Sequence, residues 1–340
     1  MRIGIVLNGR RSADEIAELA QLAERAGIRQ LWLSGGARTK DHFLRLAVAA
    51  MRTTAIQLGP VAISPFEAHP ARIAVELLTL QEIARGRAAI VLGGGGDFAA
   101  TLAVPLRRRV QAVAETLDIV KAMARGGEVN HSGALFQVRE LFSPWSGITL
   151  PRLYVGANRP RMISMGARSA DGVMFTDMPA AHLKSLVAQV RAEVAGAGKV
   201  AQEIRISNWF VWNVQETRAE AFDLAKRQLG FRLYYIRDVA GSLGLSEQDT
   251  RELEHRQREM LRAVFEGKEP WLPRTPIVEL LIRNLTLSGG NEDLDECVQR
   301  LLDFEKIGLN EVALALHGEP SRAIKLLGER VLPRVQKQGE

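Results

Sequence analysis

Four segments of this 340-residue chain carry the residue types that could do chemistry. Gly93-Gly94-Gly95-Gly96-Asp97-Phe98 offers backbone amides to a close ligand, because glycine accepts dihedrals closed to other residues and brings no side chain. It lacks a following lysine and serine or threonine and does not read GxGxxG, so it is neither a Walker loop nor a dinucleotide fingerprint. Gly156-Ala157-Asn158-Arg159-Pro160-Arg161 joins small residues to Asn158, a good helix N-cap, and to Pro160, which suits a first turn. Unpaired amides at such a helix start bind phosphate, with Arg159 and Arg161 adding charge.

The other two segments are less pointed. Gly59 to Pro70 reads GPVAISPFEAHP, in which Ser64-Pro65 at a strand end predicts extended, bulged or cis geometry, a shelf on which a planar ring could rest. Ser34-Gly35-Gly36-Ala37-Arg38-Thr39-Lys40-Asp41-His42 sets Arg38 and Lys40 where an anionic tail could meet them. His42, alone at a helix start, reads as a surface or cap residue. Taken singly, each segment is also an ordinary strand-to-helix turn.

Other chemistries are poorly supported. The six histidines are scattered singly and no HxH or HExxH occurs, which argues against a metal-dependent hydrolase. One cysteine, Cys297, allows neither an internal disulfide nor a cysteine metal site, and a reducing, cytoplasmic setting is expected. The formal charge of +6 is spread along the chain, and its densest cluster, Arg107 to Arg109, has no interleaved aromatics, so a solvated helix start is expected there and no nucleic-acid partner. The first apolar run is broken by Asn8, Arg10 and Arg11 before a secretory or membrane segment could form, so no membrane partner is expected.

Positioning these loops needs a regular frame, and the periodicity supplies one. Residues 2–7 read as a strand; Ser12, with Glu15 three positions on, is a capping-box signature, and Ile16, Leu19, Leu22, Ala23 and Ala26 then follow at helical spacing until Gly27. The unit recurs with strands at 30–33, 56–63 and 87–92 and helices at 41–52, 71–84 and 106–125. Crossovers of this length imply parallel strands. Residues 126–151 are rich in turn formers, with runs at 128–130 and 135–138 that fit a hairpin around His131-Ser132-Gly133.

Further strands are read at 153–156, 172–175, 203–214 and 311–316, with helices from Arg159 and Ala180 and at 294–307 and 322–331. The stretch from Glu216 to Gly289 is helical and charged, with no convincing strand. Eight strands, each followed by a helix, favour a (β/α)8 TIM barrel over an open doubly wound sheet: one domain, 1–340, with a helical insertion after strand seven at about 217–290.

Set in order, the segments resemble the luciferase-like family, which includes the coenzyme F420-dependent methylenetetrahydromethanopterin reductases and flavin-dependent monooxygenases. LGPVAISPFEAHPARIAVELLTLQEIARGRAAIVLGGGGD is similar to the family's block from strand three to strand four, LPRLYVGANRPRMISMGARSADGVMF to its strand-five block, and LNEVALALHGEPSRAIKLLGERVLP to its last strand and helix. The resemblance implies a shelf at Ile63-Ser64, a ring and ribityl chain bordered by Gly93, Gly94, Gly95 and Asp97, a phosphate held by Gly156, Ala157, Asn158 and Arg159, and a pocket lined by Thr176. It also implies a homodimer or higher homo-oligomer.

One departure narrows the reading. Members that oxidise alcohols or sugar phosphates commonly carry a histidine just after strand two, where this chain has Ser34-Gly35-Gly36. That leaves, as the leading expectation, a reductase passing hydride between coenzyme F420 and a small unsaturated substrate, the cofactor carrying the chemistry and no side chain singled out as catalytic. The alternatives are an FMN-dependent monooxygenase served by a flavin reductase partner, and a flavin-binding protein without turnover.

Overall fold

The computed structural model describes residues 1–35, 39–96, 99, 101–200 and 203–336. Eight parallel strands close on themselves: β1 (Arg2–Asn8), β2 (Gln30–Ser34), β3 (Gln57–Ile63), β4 (Ala89–Leu92), β7 (Arg152–Gly156), β8 (Gly172–Thr176), β9 (Arg205–Val214) and β11 (Glu311–Leu316). Neighbours follow that order, β9 pairing with both β8 and β11, and β11 returning to β1 through Arg2 opposite Glu311. The eight-stranded parallel barrel expected from the periodicity is therefore the fold.

Local chemistry sets the helix boundaries. Ser12 and Glu15 form the reciprocal capping box before the helix Ala13–Arg25, and Thr217 with Glu220 forms another before Arg218–Gln228. Pro70 opens the helix Pro70–Ile83 behind His69, whose ring nitrogen accepts the Ala71 amide. Residues 126–151 do make a hairpin, β5 (Gly127–Ser132) with β6 (Gln137–Ser143), tied to the helix Arg109–Arg125 by Glu115, whose carboxylate accepts the amides of Ala134, Leu135 and Phe136.

Two expectations are corrected. Between residues 216 and 289 there is a strand, β10 (Thr286–Gly289), which pairs with Val211 to Val214 of β9 just beyond the point where β8 stops at Trp209. It follows the helix Thr275–Leu285 without an intervening turn residue, so its pattern reads as more helix. The closing segment starts two residues earlier than expected, at Pro320, and passes through a π-turn at Leu327–Val331 before a last turn Leu332–Val335.

The main core lies between the strands and the surrounding helices, while a second apolar cluster fills the barrel: Val6, Trp32, Val61, Val91, Tyr154 and Met174, all buried. Trp32 meets Tyr154 edge to face, ring centroids 5.3 Å apart. Gly59 and Gly172 make room for this packing, since a Cβ on Gly59 would run into the Ala89 carbonyl and one on Gly172 into the Tyr154 ring. Below them a polar layer seals the base: Gln30 Nε2 donates to the Tyr154 hydroxyl (3.2 Å), which donates to Glu311 Oε2 (2.9 Å). With the base plugged, only the strands' C-terminal ends are left to hold a ligand. Among the described residues no helix is long and apolar enough to cross a membrane, and no cluster of His, Cys, Asp and Glu could hold a metal ion.

Candidate active site

The inward positions at the top of the barrel are small or exposed. Asn8 and Ala62 are exposed, and Gly93, Gly156 and Thr176 are half-buried. A Cβ on Gly93 would stand 3.3 Å from the Ala62 methyl, and one on Gly156 would stand 3.4 Å from Val91 Cγ1 inside the barrel. Ala62 and Gly93 thus adjoin with little side chain between them, while the half-buried Trp209 of β9, opposite Thr176, packs against the same inner cluster.

The bulge lies earlier in β3 than expected. The register against β4 slips between Val61 and Ile63, and the cis peptide is Val61-Ala62; neither Ile63-Ser64 nor Ser64-Pro65 is cis. Ile63 and Ser64 are both buried. The Ile63 carbonyl accepts the Gly93 amide (2.9 Å), and Ser64 shapes the turn by accepting the Phe66 amide on Oγ (3.2 Å). The Ser-Pro signal thus marks the turn that follows the shelf, and the shelf itself is Val61-Ala62.

Of the glycine loop, residues 93–96 are described, and Asp97 and Phe98 lie outside the described residues. Gly94 sits between Arg109 and Met162, because a Cβ on it would be 3.2 Å from Arg109 Cβ and from Met162 Cε. Gly95 has φ +90°, a conformation that favours glycine. The loop therefore leans on the helix that follows Gly156 and on Arg109, which the sequence suggested was merely solvated.

At residues 156–161 the helix Pro160–Ser169 is capped by Arg159, not by Asn158, and without a side-chain bond. Asn158 is buried and ties the tops of two strands, accepting the Thr176 amide (2.9 Å) and donating to its carbonyl (3.0 Å). Ala157's amide is taken by the Met174 carbonyl. The amides of Asn158, Arg159 and Arg161 have no acceptor among the described residues. Unpaired first-turn amides are in keeping with a helix N-terminus.

Three features were not legible in the sequence. The segment after β9 folds over this wall: Asp238 accepts from Arg159 Nε (3.2 Å), and burial raises the pKa of the Tyr235 hydroxyl while the charges of Arg159, Asp177, Asp238 and Arg109 all act on it. Arg232 donates to Asp177 at 2.6 Å, both side chains nearly buried. Glu67, in the turn after the shelf, is pushed up to about 7 by burial, opposed only by a hydrogen bond from the Ser64 amide.

His42 also lies differently from expectation. Asp41 caps the helix His42–Met51, and the imidazole folds back over Gly35, filling the space that a side chain at the end of β2 would take. Burial and then Arg45 lower its pKa. Arg38 and the two residues before it lie outside the described residues. Phe175 is buried, and Thr176 closes β8, paired through its backbone with the Asn158 side chain.

The family model described as luciferase-like monooxygenase matches residues 1–320. The chain belongs to the luciferase-like family. Its curated relatives include the 5,10-methylenetetrahydromethanopterin reductase of Archaeoglobus fulgidus, 23% identical over 332 residues and covering 95% of this chain and 96% of that protein. Among solved structures, the coenzyme F420-dependent tetrahydromethanopterin reductase of Methanopyrus kandleri superposes with a TM-score of 0.84 at 21% identity, covering 98% and 99% of the two chains. The monooxygenase RslO1 of Streptomyces bottropensis superposes with a TM-score of 0.72 at 19% identity, covering 98% and 99%. Such luciferase-like members are flavin- or deazaflavin-dependent oxidoreductases.

Proposed function

We propose that this luciferase-like protein is a coenzyme F420-dependent oxidoreductase of the reductase type. The observation that carries the reading is the union of free amides at Asn158, Arg159 and Arg161 with a floor of Ala62, Gly93 and Gly156. An anion seated on those amides would leave a tricyclic ring room to lie over the floor. The residues fit such a cofactor: Gly94 has no Cβ to push Arg109 and Met162 apart, and no bulky side chain rises from the shelf.

When bound, the deazaflavin supplies a two-electron hydride chemistry that no side chain here can provide. The chain's own residues divide the remaining work. Gly156, Ala157, Asn158 and Arg159 with Arg109 would hold the phosphate; Gly93, Gly94 and Gly95, and Asp97 after them, would border the ring and its chain; Ile63 and Ser64 set the turn behind the Val61-Ala62 shelf, and Thr176 lines the wall. The segment from residue 217 to 289 would exclude water from above. The likeness to two methylenetetrahydromethanopterin reductases, one in sequence and one in fold, favours the deazaflavin over FMN.

The test is a titration of the purified protein with coenzyme F420 and with FMN, read by quenching of cofactor fluorescence. Tighter binding of coenzyme F420 supports the reading. FMN binding alone, with oxygen consumption driven by reduced FMN, would establish the monooxygenase alternative, and binding of either cofactor without substrate-dependent reoxidation would leave a flavin-binding protein.

A further inference from the structure

We infer that a cavity among the outer helices, bounded by Arg218–Gln228, Thr275–Leu285, Leu294–Ile307 and β10, binds a small carboxylate with an apolar body. None of its lining residues is among those assigned to the cofactor, so the site stands whichever cofactor the mouth takes. Its volume is about 570 Å³, a size usual for small-molecule sites. Ala221, Phe222, Leu280 and Ile282 give it an apolar wall, and Arg283 and Arg300 share the same lining.

The two arginines make the case for an anion. Arg300 is half-buried, and its Nη1 donates to the Thr286 carbonyl (2.7 Å) at the end of the helix Thr275–Leu285. Among the described residues neither Arg283 nor Arg300 has a carboxylate within ion-pair distance. Burial lowers the Arg300 pKa and the charge of Arg283 lowers it further, against the pull of Cys297 and Glu296. Two guanidiniums that repel each other in a partly desolvated recess cost free energy, and a bound anion removes that cost. The cavity's own acids do not serve. Asp293 is taken by two hydrogen bonds from Arg218 and one from the Gly290 amide, while Glu279 and Glu296 are exposed, where solvent screens them.

The rest of the lining favours an organic anion over an inorganic one. Cys297 is buried there, and burial pushes its thiol up to about 11, so it stays neutral beside Arg300. Asn213 of β9 donates to the Ser288 hydroxyl (2.9 Å) and to the Ala221 carbonyl (2.7 Å), joining β10 to the helix Arg218–Gln228 as one fixed wall. The Ser288 hydroxyl is also 2.7 Å from that of Thr286. With those groups satisfied by one another, the donors left to a ligand are those of the two arginines. A guanidinium matches a carboxylate through two parallel hydrogen bonds, and Phe222, Leu280 and Ile282 gain from covering a hydrocarbon or aryl body.

The experiment is a calorimetric titration of the full-length protein with phenylacetate, with phenethyl alcohol as the uncharged counterpart and acetate as the bare carboxylate. The expected result is one saturable site for phenylacetate, with an affinity at least about tenfold above that of either comparator. Arg300→Met should weaken phenylacetate binding by at least about tenfold. Leu280→Trp, at a half-buried position in the wall, should abolish it by filling the space at an unchanged circular dichroism spectrum. If Arg300→Met does not fold, Arg283→Gln, at an exposed position, reads the same charge and should weaken binding severalfold. Arg109→Ala, at the mouth, should leave the affinity as it is. Absence of saturable binding, equal affinity for the alcohol, or full affinity in Arg283→Gln and Leu280→Trp overturns the proposal. Loss of binding in Arg109→Ala would place the ligand at the mouth and overturn it as well.

Discussion

Arg232, carried by the segment that follows β9, donates to Asp177 at the end of β8 across 2.6 Å, and the two side chains are only 12% and 7% exposed. A buried pair of this kind fixes where one element sits on another, because separating the partners strands a charge in a poorly solvated place. His317, just past β11, is half-buried, and desolvation followed by the charge of Arg232 lowers its pKa to about 3.

Removing that arginine should be costly and pH-dependent. Arg232→Met keeps the apolar stem but leaves Asp177 alone, and a loss on the order of 3 kcal/mol is expected by chemical denaturation at pH 8. Burial already raises the Asp177 pKa, against the pull of Arg232. Without the arginine the folded protein binds that proton more tightly than the unfolded chain does, so stability is lost as pH rises through the raised value and recovered on acidification. The variant should therefore be closer to the parent at pH 5 than at pH 8, and an equal deficit at both would show that Asp177 does not carry the effect.

Two other groups give opposite slopes. Glu67 is raised to about 7 from an ordinary 4.5, so its contribution favours the folded state below about 4.5 and is lost as pH climbs through 7. His317 is lowered to about 3 from 6.5, so the unfolded chain takes up the proton first, and stability falls as pH drops below 6.5. The expected cost of His317 between neutrality and pH 4 is about 3 kcal/mol. Thermal unfolding across pH 4 to 8 for Glu67→Gln and His317→Gln separates them by sign: the first should remove a loss of stability that builds as pH rises from about 4.5 to 7, the second a loss that builds as pH falls below 6.5. Unchanged profiles in both would refute the assigned burial.

Much of the frame was legible because it repeats. Ser12 with Glu15, the helical spacing after them and the parallel strands that such crossovers demand are local patterns, and the structure forms them. The Gly156 loop was legible as well, since small residues and a proline announce a helix start. What could not be read depends on contacts distant in sequence. Arg109 reads as a solvated charge until Gly94 is set beside it. Tyr235 and Arg232 lie in a charged helical stretch whose partners, Arg159 and Asp177, are more than fifty residues away. Glu67 looks like any acid before a helix until burial in the turn after Ser64 raises its pKa. Asn158 matched the preference for an N-cap, but the demand of Thr176 for both a donor and an acceptor took it instead.

The phosphate wall can be tested without knowing the substrate. Arg109→Ala and Arg159→Ala are each expected to weaken cofactor binding by roughly tenfold, the value of one charge-assisted hydrogen bond, for coenzyme F420 and FMN alike, because the phosphate end is common to both. Inorganic phosphate should compete with either cofactor in the parent and less well in the variants. Gly94→Val should hinder binding more than either, since its side chain would press on Arg109 and Met162. Full affinity in Arg109→Ala would place the anion elsewhere.

The barrel base offers a test of the frame by itself. Tyr154 stands between Gln30 and Glu311, and Glu311 is fully buried with Arg205 Nε 3.6 Å away, so the hydroxyl is the one good donor to its carboxylate among the described residues. Burial, and next the charge of Glu311, raise the pKa of the Tyr154 hydroxyl, which keeps it protonated and donating throughout the accessible range. Tyr154→Phe preserves the edge-to-face contact with Trp32 but withdraws that proton, so a cost of about 1–3 kcal/mol is expected from the unsatisfied carboxylate. Replacing both, as Tyr154→Phe with Glu311→Gln, removes the buried charge and should restore part of the loss. Cofactor affinity should be unchanged in both proteins, because this layer lies at the opposite end of the barrel from the mouth. A fall in cofactor binding at constant stability would mean that the base and the mouth are coupled through the packed interior, by way of Trp32 and Met174, and that the plug is more than a seal.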